Sequence, residues 1–327
     1  MKYSKTIFLV VTFLMTLVFI FGCANASKPE ASAPPQSEQA EQQPETLPEQ
    51  EPEELTVTDM MGRQITVPDN VERVIALTAS DCEILYALGA GDTLIGRGEY
   101  CNYPDKALEV PSVQSGYETN IEQIIALEPQ IVFMNKMDQS EDQVNALTDA
   151  GITVVMSDAD DINGTYESIE LVGAVMGKND EAQALIDSMK SAFLEISENA
   201  KKDGEKKTVY FEVSPLEYGL WTAGSATFMN ELADILGVEN AFGDVEGWVE
   251  ISEEQVIERN PDYIVTITMY FGEGPSPVEE IMGRSGWENI TAVKNGAVLN
   301  ADSDEISRPG PRLVNAASTL YDFFYTE

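Results

Sequence analysis

The chain has 327 residues, of which 57 are acidic, 19 are basic and none is histidine, so its formal net charge is -38. The lack of histidine excludes a histidine-based catalytic triad, an imidazole ligand for zinc or haem, and a histidine pH switch. The small number of basic residues argues against nucleic acid as a partner, because phosphate binding needs lysine and arginine on one face. Apolar residues make up 43% of the chain, which is ordinary for a protein that buries a core.

The N-terminal residues have the composition of a targeting signal. Two lysines precede the apolar run 7–21, which at 15 residues is shorter than the roughly 20 that a membrane-spanning helix needs. The run ends at Gly22-Cys23, which resembles a bacterial lipoprotein signal. Residues 1–22 are then a signal peptide and Cys23 carries the lipid. An uncleaved N-terminal anchor is the alternative, and both interpretations predict an extracytoplasmic protein anchored to the cell membrane.

A tether follows the signal. Residues 27–54 contain eight Glu, five Gln and six Pro, and no apolar side chain larger than leucine. Such a composition cannot bury enough surface to offset the entropy cost of ordering the chain. We therefore expect residues 23–54 to be a disordered tether and the folded body to begin at residue 55.

The first half of the body alternates between strand and helix patterns. A hairpin is expected around Met61-Gly62, because two alternating segments flank it. Strands are predicted at 73–77, 93–96, 131–134 and 152–156, and helices near 81–89, 120–127 and 140–149. Short β-branched strands that alternate with amphipathic helices predict a parallel α/β sheet.

A long helix and a second α/β series complete the body. About 24 residues after Gly177-Lys178 contain neither Pro nor Gly and carry apolar residues at helical spacing. The second series has strands at 207–213 and 263–267 and helices near 226–236, 252–258 and 311–325. The predicted organisation is an N-terminal lobe at 55–177, an interdomain helix at 178–203 and a C-terminal lobe at 204–327.

One element recurs in both lobes. The segments NIEQIIALEPQIVFM (120–134) and SEEQVIERNPDYIVTI (252–267) share Glu-Gln, a proline seven residues after that Glu, and a β-branched strand. Glu122 thus matches Glu254. The proline ends the helix and starts the strand in each copy, because the residue before a proline disfavours the helical conformation.

These segments together identify a family. TDMMGRQITVP with ERVIAL, NIEQIIALEPQIVF, LWTAGSATFMNELADILGVENAF, EISEEQVIERNPDYIV and RPGPRLVNAA occur in this order and resemble the substrate-binding lipoproteins of ABC importers for iron–siderophore and cobalamin-type ligands. The resemblance implies the class III fold, in which two Rossmann-like lobes are joined by a single long rigid helix. It also implies a monomer without enzymatic activity or a cofactor, which captures a small-molecule metal chelate and delivers it to an ABC permease and its ATPase.

The resemblance further implies two docking residues. Members of this family meet arginines on the permease through one exposed glutamate on each lobe. The matching motifs here are NIEQI and SEEQV, which gives Glu122 and Glu254, with Glu253 as a competing choice. Fixed anionic groups at two separated points would align the cleft with the transporter and speed the encounter.

The cleft residues follow from the positions of the strands, because ligands bind beyond the carboxyl ends of parallel strands. Large flat side chains suit a bulky, partly apolar ligand, and arginine binds oxygen-rich anions. The predicted ligand-binding residues are Ser80, Arg97, Tyr100, Asn135, Tyr218, Trp221, Trp248 and Arg308.

The charge of the ligand depends on Arg308 and Arg312. If their guanidinium groups face the cleft, they favour an anionic ferric siderophore, which places it slightly ahead of a corrinoid. The alternative is that they pair with nearby acids. Those acids are Asp302, Asp304 and Glu305. Haem is disfavoured, because only Tyr or Met could bind its iron.

The composition also suggests two other kinds of protein. A surface hydrolase with paired carboxylates is possible in so acidic a chain, but no pair stands out at catalytic separation. A free-metal-ion binder would normally offer histidines or clustered cysteines. Cys82 and Cys101 could form a disulfide or stay as buried thiols, and no spacing rule decides between them.

Overall fold

A computed structural model describes residues 54–116, 118–136, 140–200 and 206–325 of the chain. These residues fall within one compact unit, Pro52–Glu327. The predicted signal peptide, Cys23 and all of the predicted tether except its last residue lie outside the described residues. Among the described helices, none combines the length and the apolar character needed to cross a membrane.

The described part of the chain alternates between strands and helices. The strands are β1 (Thr56–Thr58), β2 (Gln64–Thr66), β3 (Val74–Ala76), β4 (Leu94–Gly98), β5 (Ser112–Val113), β6 (Ile131–Asn135), β7 (Thr153–Ser157), β8 (Thr208–Ser214), β9 (Trp221–Ala223), β10 (Glu239–Asn240), β11 (Trp248–Glu250), β12 (Tyr263–Thr266) and β13 (Val298–Asn300). The helices are α1 (Ala79–Ala87), α2 (Ile121–Ala126), α3 (Ser140–Asp149), α4 (Ile162–Val175), α5 (Asn179–Asn199), α6 (Phe228–Ile235), α7 (Glu253–Arg259), α8 (Pro277–Met282), α9 (Thr291–Asn295), α10 (Ser303–Ile306) and α11 (Leu313–Tyr325).

The first sheet is parallel, as the sequence predicted. Its strands lie in the order β5-β4-β3-β6-β7, and every neighbouring pair runs parallel. All of β3 and the first four residues of β6 are buried, which explains why these strands read as continuous apolar runs. The predicted hairpin is also present, as the antiparallel pair β1 and β2.

The second sheet is mixed rather than purely parallel. Its main path is β11-β9-β8-β12-β13, and β10 also pairs with β8. Strand β9 runs antiparallel to both β8 and β11. The reason is the short connection 215–220 between β8 and β9, which contains a single 3-10 turn and Gly219 at φ 88°. A parallel partner would need a crossover of about a dozen residues or more.

Helix α5 is the predicted long helix. It has 21 residues, follows Gly177 in the left-handed conformation, and opens with the acidic residues Asp180 and Glu181. It packs against α4, α6 and α11, and the sequence did not predict α4. The two helices approach closely at Gly173, where an added Cβ would lie 2.6 Å from the Cβ of Ala182. Helix α4 is buried except for a narrow exposed stripe at Asn163, Glu167 and Glu170, so its apolar face is much wider than that of an ordinary amphipathic helix.

The core joins both sheets. Its largest cluster contains residues of β3, β6, β8 and β12 together with residues of α1, α4, α5, α6 and α11. A smaller cluster lies within each half of the body. The lobe boundaries at 177/178 and 203/204 stay predictions.

The recurring element has the same local structure in both copies. Asn120 and Ser252 cap α2 and α7, and each accepts a hydrogen bond from the backbone of the glutamine three residues later. Each proline follows a residue in the left-handed conformation, Glu128 or Asn260. In both copies the next strand begins two residues after the proline.

Candidate functional site

The strand orders create a cleft at the carboxyl ends of both sheets. In the first sheet the chain passes from β3 to β4 on one side and later to β6 on the other. The second sheet does the same around β8, with β9 on one side and β12 on the other. Loops diverge at such a point, so the carboxyl ends of the two adjacent strands border a crevice.

A cavity lies at each of these positions. The smaller has a volume of about 360 Å³ and borders the ends of β3 and β6. The larger has a volume of about 910 Å³ and borders the ends of β8 and β12. Both are lined by Tyr100, Ser307 and Arg308, so the two cavities adjoin.

Five of the eight predicted ligand-binding residues line these cavities. Ser80 and Asn135 line the smaller cavity and Tyr218 lines the larger one. Tyr100 and Arg308 line both. Tyr100 and Tyr218 are 70% and 75% exposed, so their rings are free to contact a solute.

Arg97 lines neither cavity. Its side chain is buried, and its guanidinium donates hydrogen bonds to the carbonyl oxygens of Val110 at 3.1 Å and Gly98 at 3.1 Å. A longer bond of 3.4 Å reaches the carbonyl of Glu99. These contacts fix the backbone that carries Tyr100, so we assign Arg97 to support of the cavity wall rather than to the solute.

Trp221 and Trp248 line neither cavity. They sit on β9 and β11, in the two end pairs of a three-pair antiparallel ladder, where Trp221 faces Glu250 and Trp248 faces Ala223. The Trp248 ring packs against Phe228 with centroids 5.3 Å apart. Trp221 pairs with Ser214 at the carboxyl end of β8, close in the chain to Val213 and Pro215 of the larger cavity, so its contact with a solute stays a prediction.

The two arginines are ion-paired, and their main partner is a residue that the sequence did not single out. Arg308 Nη1 donates to Glu83 Oε1 at 2.9 Å, and Arg308 Nη2 donates to Asp304 Oδ1 at 2.5 Å. Arg312 binds the same glutamate through Nε at 2.9 Å and Nη2 at 2.7 Å. Its guanidinium also lies over the ring of Tyr103, 4.3 Å from the centroid. Of the three acids that the sequence offered as partners, Asp304 is the one that pairs with Arg308.

The wall of the larger cavity is aromatic and acidic. Its aromatic side chains are Tyr100, Tyr218, Tyr270 and Phe271, the last of them 85% exposed. Its carboxylates are Glu212, Glu217, Glu273, Glu280 and Asp304. Among the described residues that line the two cavities, Arg308 is the one cationic side chain. The side chains that line the larger cavity therefore carry a net negative charge.

Glu212 at the base of the larger cavity is compensated by a buried arginine. Arg284 donates to Glu212 Oε2 at 2.6 Å and to Oε1 at 2.9 Å, and it also binds Glu280. Burial raises the pKa of Glu212, while the bonds from Arg284 oppose that rise. The guanidinium of Arg284 is further held over the ring of Trp287 at 4.4 Å.

Asp81 is a buried acid next to the smaller cavity. Its Oδ2 accepts hydrogen bonds from Thr78 and from Ser157, the latter at 2.9 Å. Its Oδ1 has no hydrogen-bond partner among the described residues. Burial raises the pKa of Asp81 from 3.8 to about 6, because the charged form has lost its water.

Asp81 should make the stability of the protein depend on pH between about 4 and about 6. The unfolded chain releases this proton at lower pH than the folded chain, so the contribution of Asp81 to stability falls as pH rises through that window. Asparagine does not titrate, so the Asp81→Asn variant does not lose stability in this way as the pH rises. Relative to wild type, the variant should therefore gain up to about 3 kcal/mol of unfolding free energy between pH 4 and pH 7.5.

Urea unfolding at the two pH values measures this effect. Asp92→Asn is the matched control, because the Asp92 side chain is 84% exposed. A difference between Asp81→Asn and wild type that is the same at both pH values would contradict the assignment.

The two candidate docking glutamates occupy equivalent places. Glu122 and Glu254 are both exposed and both stand at the second position of a short helix, α2 or α7. The neighbouring Glu253 is different, because its Oε2 accepts a hydrogen bond from the Trp287 indole at 3.0 Å. The geometry thus favours Glu254 over Glu253 as the available carboxylate.

The structure holds Cys82 and Cys101 as buried free thiols. The neighbouring thiol of Cys101, together with burial, raises the pKa of Cys82 far above its usual range. Among the described residues, no group of three or more His, Cys, Asp or Glu side chains is arranged to hold a metal ion.

Two α/β sheets, a long helix and a cavity at the carboxyl ends of both sheets define a two-lobed solute-binding protein. Residues 74–305 match the family model of the periplasmic binding proteins. The chain belongs to this family, the extracytoplasmic solute-binding proteins of ABC transporters, and is not an enzyme. The predicted resemblance is therefore confirmed.

Three known proteins illustrate the relationship. The ABC transporter substrate-binding lipoprotein YvrC of Bacillus subtilis is 35% identical over 320 residues, which are 96% of this chain and 95% of that protein. The vitamin B12-binding protein of Salmonella choleraesuis is 28% identical over 260 residues, which are 76% of this chain and 88% of that protein. The solved structure of a possible iron-binding periplasmic solute-binding protein from Staphylococcus epidermidis has a TM-score of 0.69 and 32% identity, and the match covers 79% of this chain and 100% of that one.

Proposed function

We propose that the solute is a bulky metal chelate without net negative charge, and that a corrinoid of the cobalamin type is a better candidate than a ferric siderophore. The observation that carries this proposal is the lining of the larger cavity, which is aromatic and acidic. Its one described cation, Arg308, is already bound by two carboxylates.

The size and character of the cavity support a bulky ligand. A volume of about 910 Å³ lies near the upper end of the range of about 300–1,000 Å³ that is usual for small-molecule sites. Tyr100, Tyr218 and Phe271 present large rings that are mostly exposed. Such rings bury much apolar area on binding, and they lose little conformational freedom because each has few rotatable bonds.

The charge of the cavity reverses the order that we expected from the sequence. An anionic siderophore was preferred there because Arg308 and Arg312 were expected to offer positive charge. Both guanidinium groups instead bind Glu83, and their side chains are only 10% and 12% exposed. An anionic chelate would have to enter beside several carboxylates, which costs free energy.

The relatives include proteins named for each of the two candidate ligands. The Salmonella relative is named for binding vitamin B12. The Staphylococcus epidermidis protein is described as a possible iron-binding protein, which keeps a neutral ferric siderophore as the second candidate. Because the chain contains no histidine, a corrinoid would be held by its rim and faces and not by an imidazole bond to cobalt.

Isothermal titration of the purified full chain, in detergent, tests the proposal. Cyanocobalamin and the neutral hydroxamate ferrichrome are compared with haemin and with a trianionic ferric tris-catecholate. We expect saturable binding of cyanocobalamin or, failing that, of ferrichrome. Tyr100→Ala and Tyr218→Ala should each weaken that binding by about tenfold or more, because each removes an aromatic contact from the cavity wall.

Tyr321→Ala is the matched control, since Tyr321 lies on α11 and lines neither cavity. Tight binding of the trianionic chelate or of haemin, with no binding of the neutral chelates, would contradict the proposed ligand class. Equal effects of all three tyrosine variants would contradict the assigned cavity.

We also propose that Glu122 and Glu254 dock the protein on its permease. Their support is the equivalent position on α2 and α7, where both carboxylates are exposed and negative charge is favoured by the helix N-terminus. Hydrogen bonds to its own backbone and to Ser252 lower the pKa of Glu254, so this group stays ionised. Two fixed negative groups on similar helices suit a partner with two basic contacts.

We also propose that Cys23 carries a lipid and that residues 23–54 tether the body to the membrane. The support is the apolar run before Cys23 and the proline- and glutamate-rich stretch after it. A monomeric body is a further proposal, which rests on the family resemblance alone.

A further inference from the structure

A buried carboxylate connects the two sides of the cleft. Glu83 lies on α1, which follows the first strand of the first sheet, and only 3% of it is exposed. Its two partners, Arg308 and Arg312, lie beyond β13, the last strand of the second sheet. Both oxygens of Glu83 are occupied, Oε1 by both arginines and Oε2 by Arg312.

Further bonds hold the same arginines in place. Arg308 Nη1 donates to Asn102 Oδ1 at 2.8 Å, and the amide of Asn102 donates to Asp304 Oδ2 at 2.7 Å. Arg312 Nη1 lies 3.8 Å from Glu305 Oε1. The hydrogen bonds that Arg312 donates to Glu83 are the largest cause that raises the pKa of Arg312, so its guanidinium stays charged. Three carboxylates thus surround two guanidinium groups.

The position of Arg308 gives this network a consequence for binding. Arg308 lines both cavities, whereas Glu83 lines neither. A bound solute can therefore contact Arg308, whereas the Glu83 carboxylate that neutralises it is buried behind the cavity wall. Desolvated charges interact more strongly than exposed ones, so a buried carboxylate at 2.9 Å suppresses the attraction of Arg308 for anions.

We propose that Glu83 is a specificity-determining residue that excludes anionic chelates by neutralising Arg308 and Arg312. The inference rests on the proposed function, because it explains how the cavity selects a neutral or cationic chelate although an arginine lines it. Glu83 acts on the solute through Arg308 and makes no contact of its own.

Glu83→Gln tests the inference, with Asp92→Asn as a control that removes the same charge from an exposed site. The trianionic ferric tris-catecholate should bind Glu83→Gln at least about tenfold more tightly than Asp92→Asn, and the gain should shrink as salt screens the freed guanidinium groups. The affinity for cyanocobalamin should change much less. A purely structural role for Glu83 would instead weaken the binding of both chelates.

Asp304→Asn is a second variant in case Glu83→Gln does not fold. The Asp304 side chain is 30% exposed, and its loss removes the other carboxylate from Arg308. If neither variant binds the trianionic chelate more tightly than Asp92→Asn does, the inference is overturned. The binding of cyanocobalamin and ferrichrome to wild type separates this failure from a failure of the proposed function, since wild type keeps Glu83.

Discussion

Arg284→Met should lower the free energy of unfolding by about 3–5 kcal/mol at pH 7. The side chains of Arg284 and Glu212 are 2% and 0% exposed, and two bonds of 2.6 and 2.9 Å join them. Methionine fills much of the same space as arginine, so the main effect of the substitution on stability is electrostatic. Glu212 would be left as a buried charge without its partner, which costs far more than the loss of a pair at the surface.

The loss should be smaller at low pH. Without the opposing bonds from Arg284, burial and the nearby carboxylate of Glu280 raise the pKa of Glu212 further above that of the unfolded chain. The penalty applies only to the ionised form, so the stability of the variant should improve as pH falls below the folded pKa. Urea unfolding at pH 5 and pH 8, followed by circular dichroism, measures both effects.

Two controls define the result. Lys106→Met removes one partner of an exposed pair with Asp92, in which the side chains are 59% and 84% exposed, and should cost at most about 1 kcal/mol. Combining Arg284→Met with Glu212→Gln should recover part of the loss, because the buried charge is then gone. A single-variant loss no larger than that of Lys106→Met would show that Glu212 does not depend on Arg284.

Reversing the charge of both proposed docking residues, Glu122→Arg with Glu254→Arg, should reduce solute uptake to background while the solute still binds. Each single reversal should reduce uptake partially, since one contact remains. The physical reason is that, under the proposed docking, an arginine would replace each glutamate opposite a basic contact of the permease, and like charges at an interface cost several kcal/mol. Uptake by cells that carry the transporter, and titration of each purified variant with the bound chelate, are the two measurements.

Glu258→Arg is the matched control, because Glu258 is an exposed glutamate near the other end of α7. Arginine in the first turn of a helix costs about 0.3–1 kcal/mol, so the melting temperature of every variant should be compared. Full uptake by the doubly reversed chain would refute the docking assignment. A loss of solute affinity equal to the loss of uptake would place these residues in binding instead.

Local patterns in the sequence were sufficient for much of the fold. The buried runs of β3 and β6, the hairpin β1–β2 and the long helix α5 each depend on neighbouring residues, so periodicity and capping signals reveal them. The segments around Glu122 and Glu254 also follow from a local pattern. In contrast, α4 is buried except for one narrow exposed stripe, so its wide apolar face departs from the usual amphipathic pattern. The direction of β9 depends on how short its connection to β8 is.

The sequence itself was thus enough to identify the family and the general position of the cleft. The order of the motifs and the ends of the strands and helices depend on residues that are close together in the chain, so they can be recognised without the tertiary structure. The charge of the cleft was decided only by the tertiary structure. Glu83 is 225 residues from Arg308 and 229 from Arg312, and no spacing rule connects positions so far apart. Folding brings them within hydrogen-bond distance, where burial makes their interaction strong. Two arginines that suggested an anionic ligand are thereby held by carboxylates, which supports our proposal of a ligand without net negative charge.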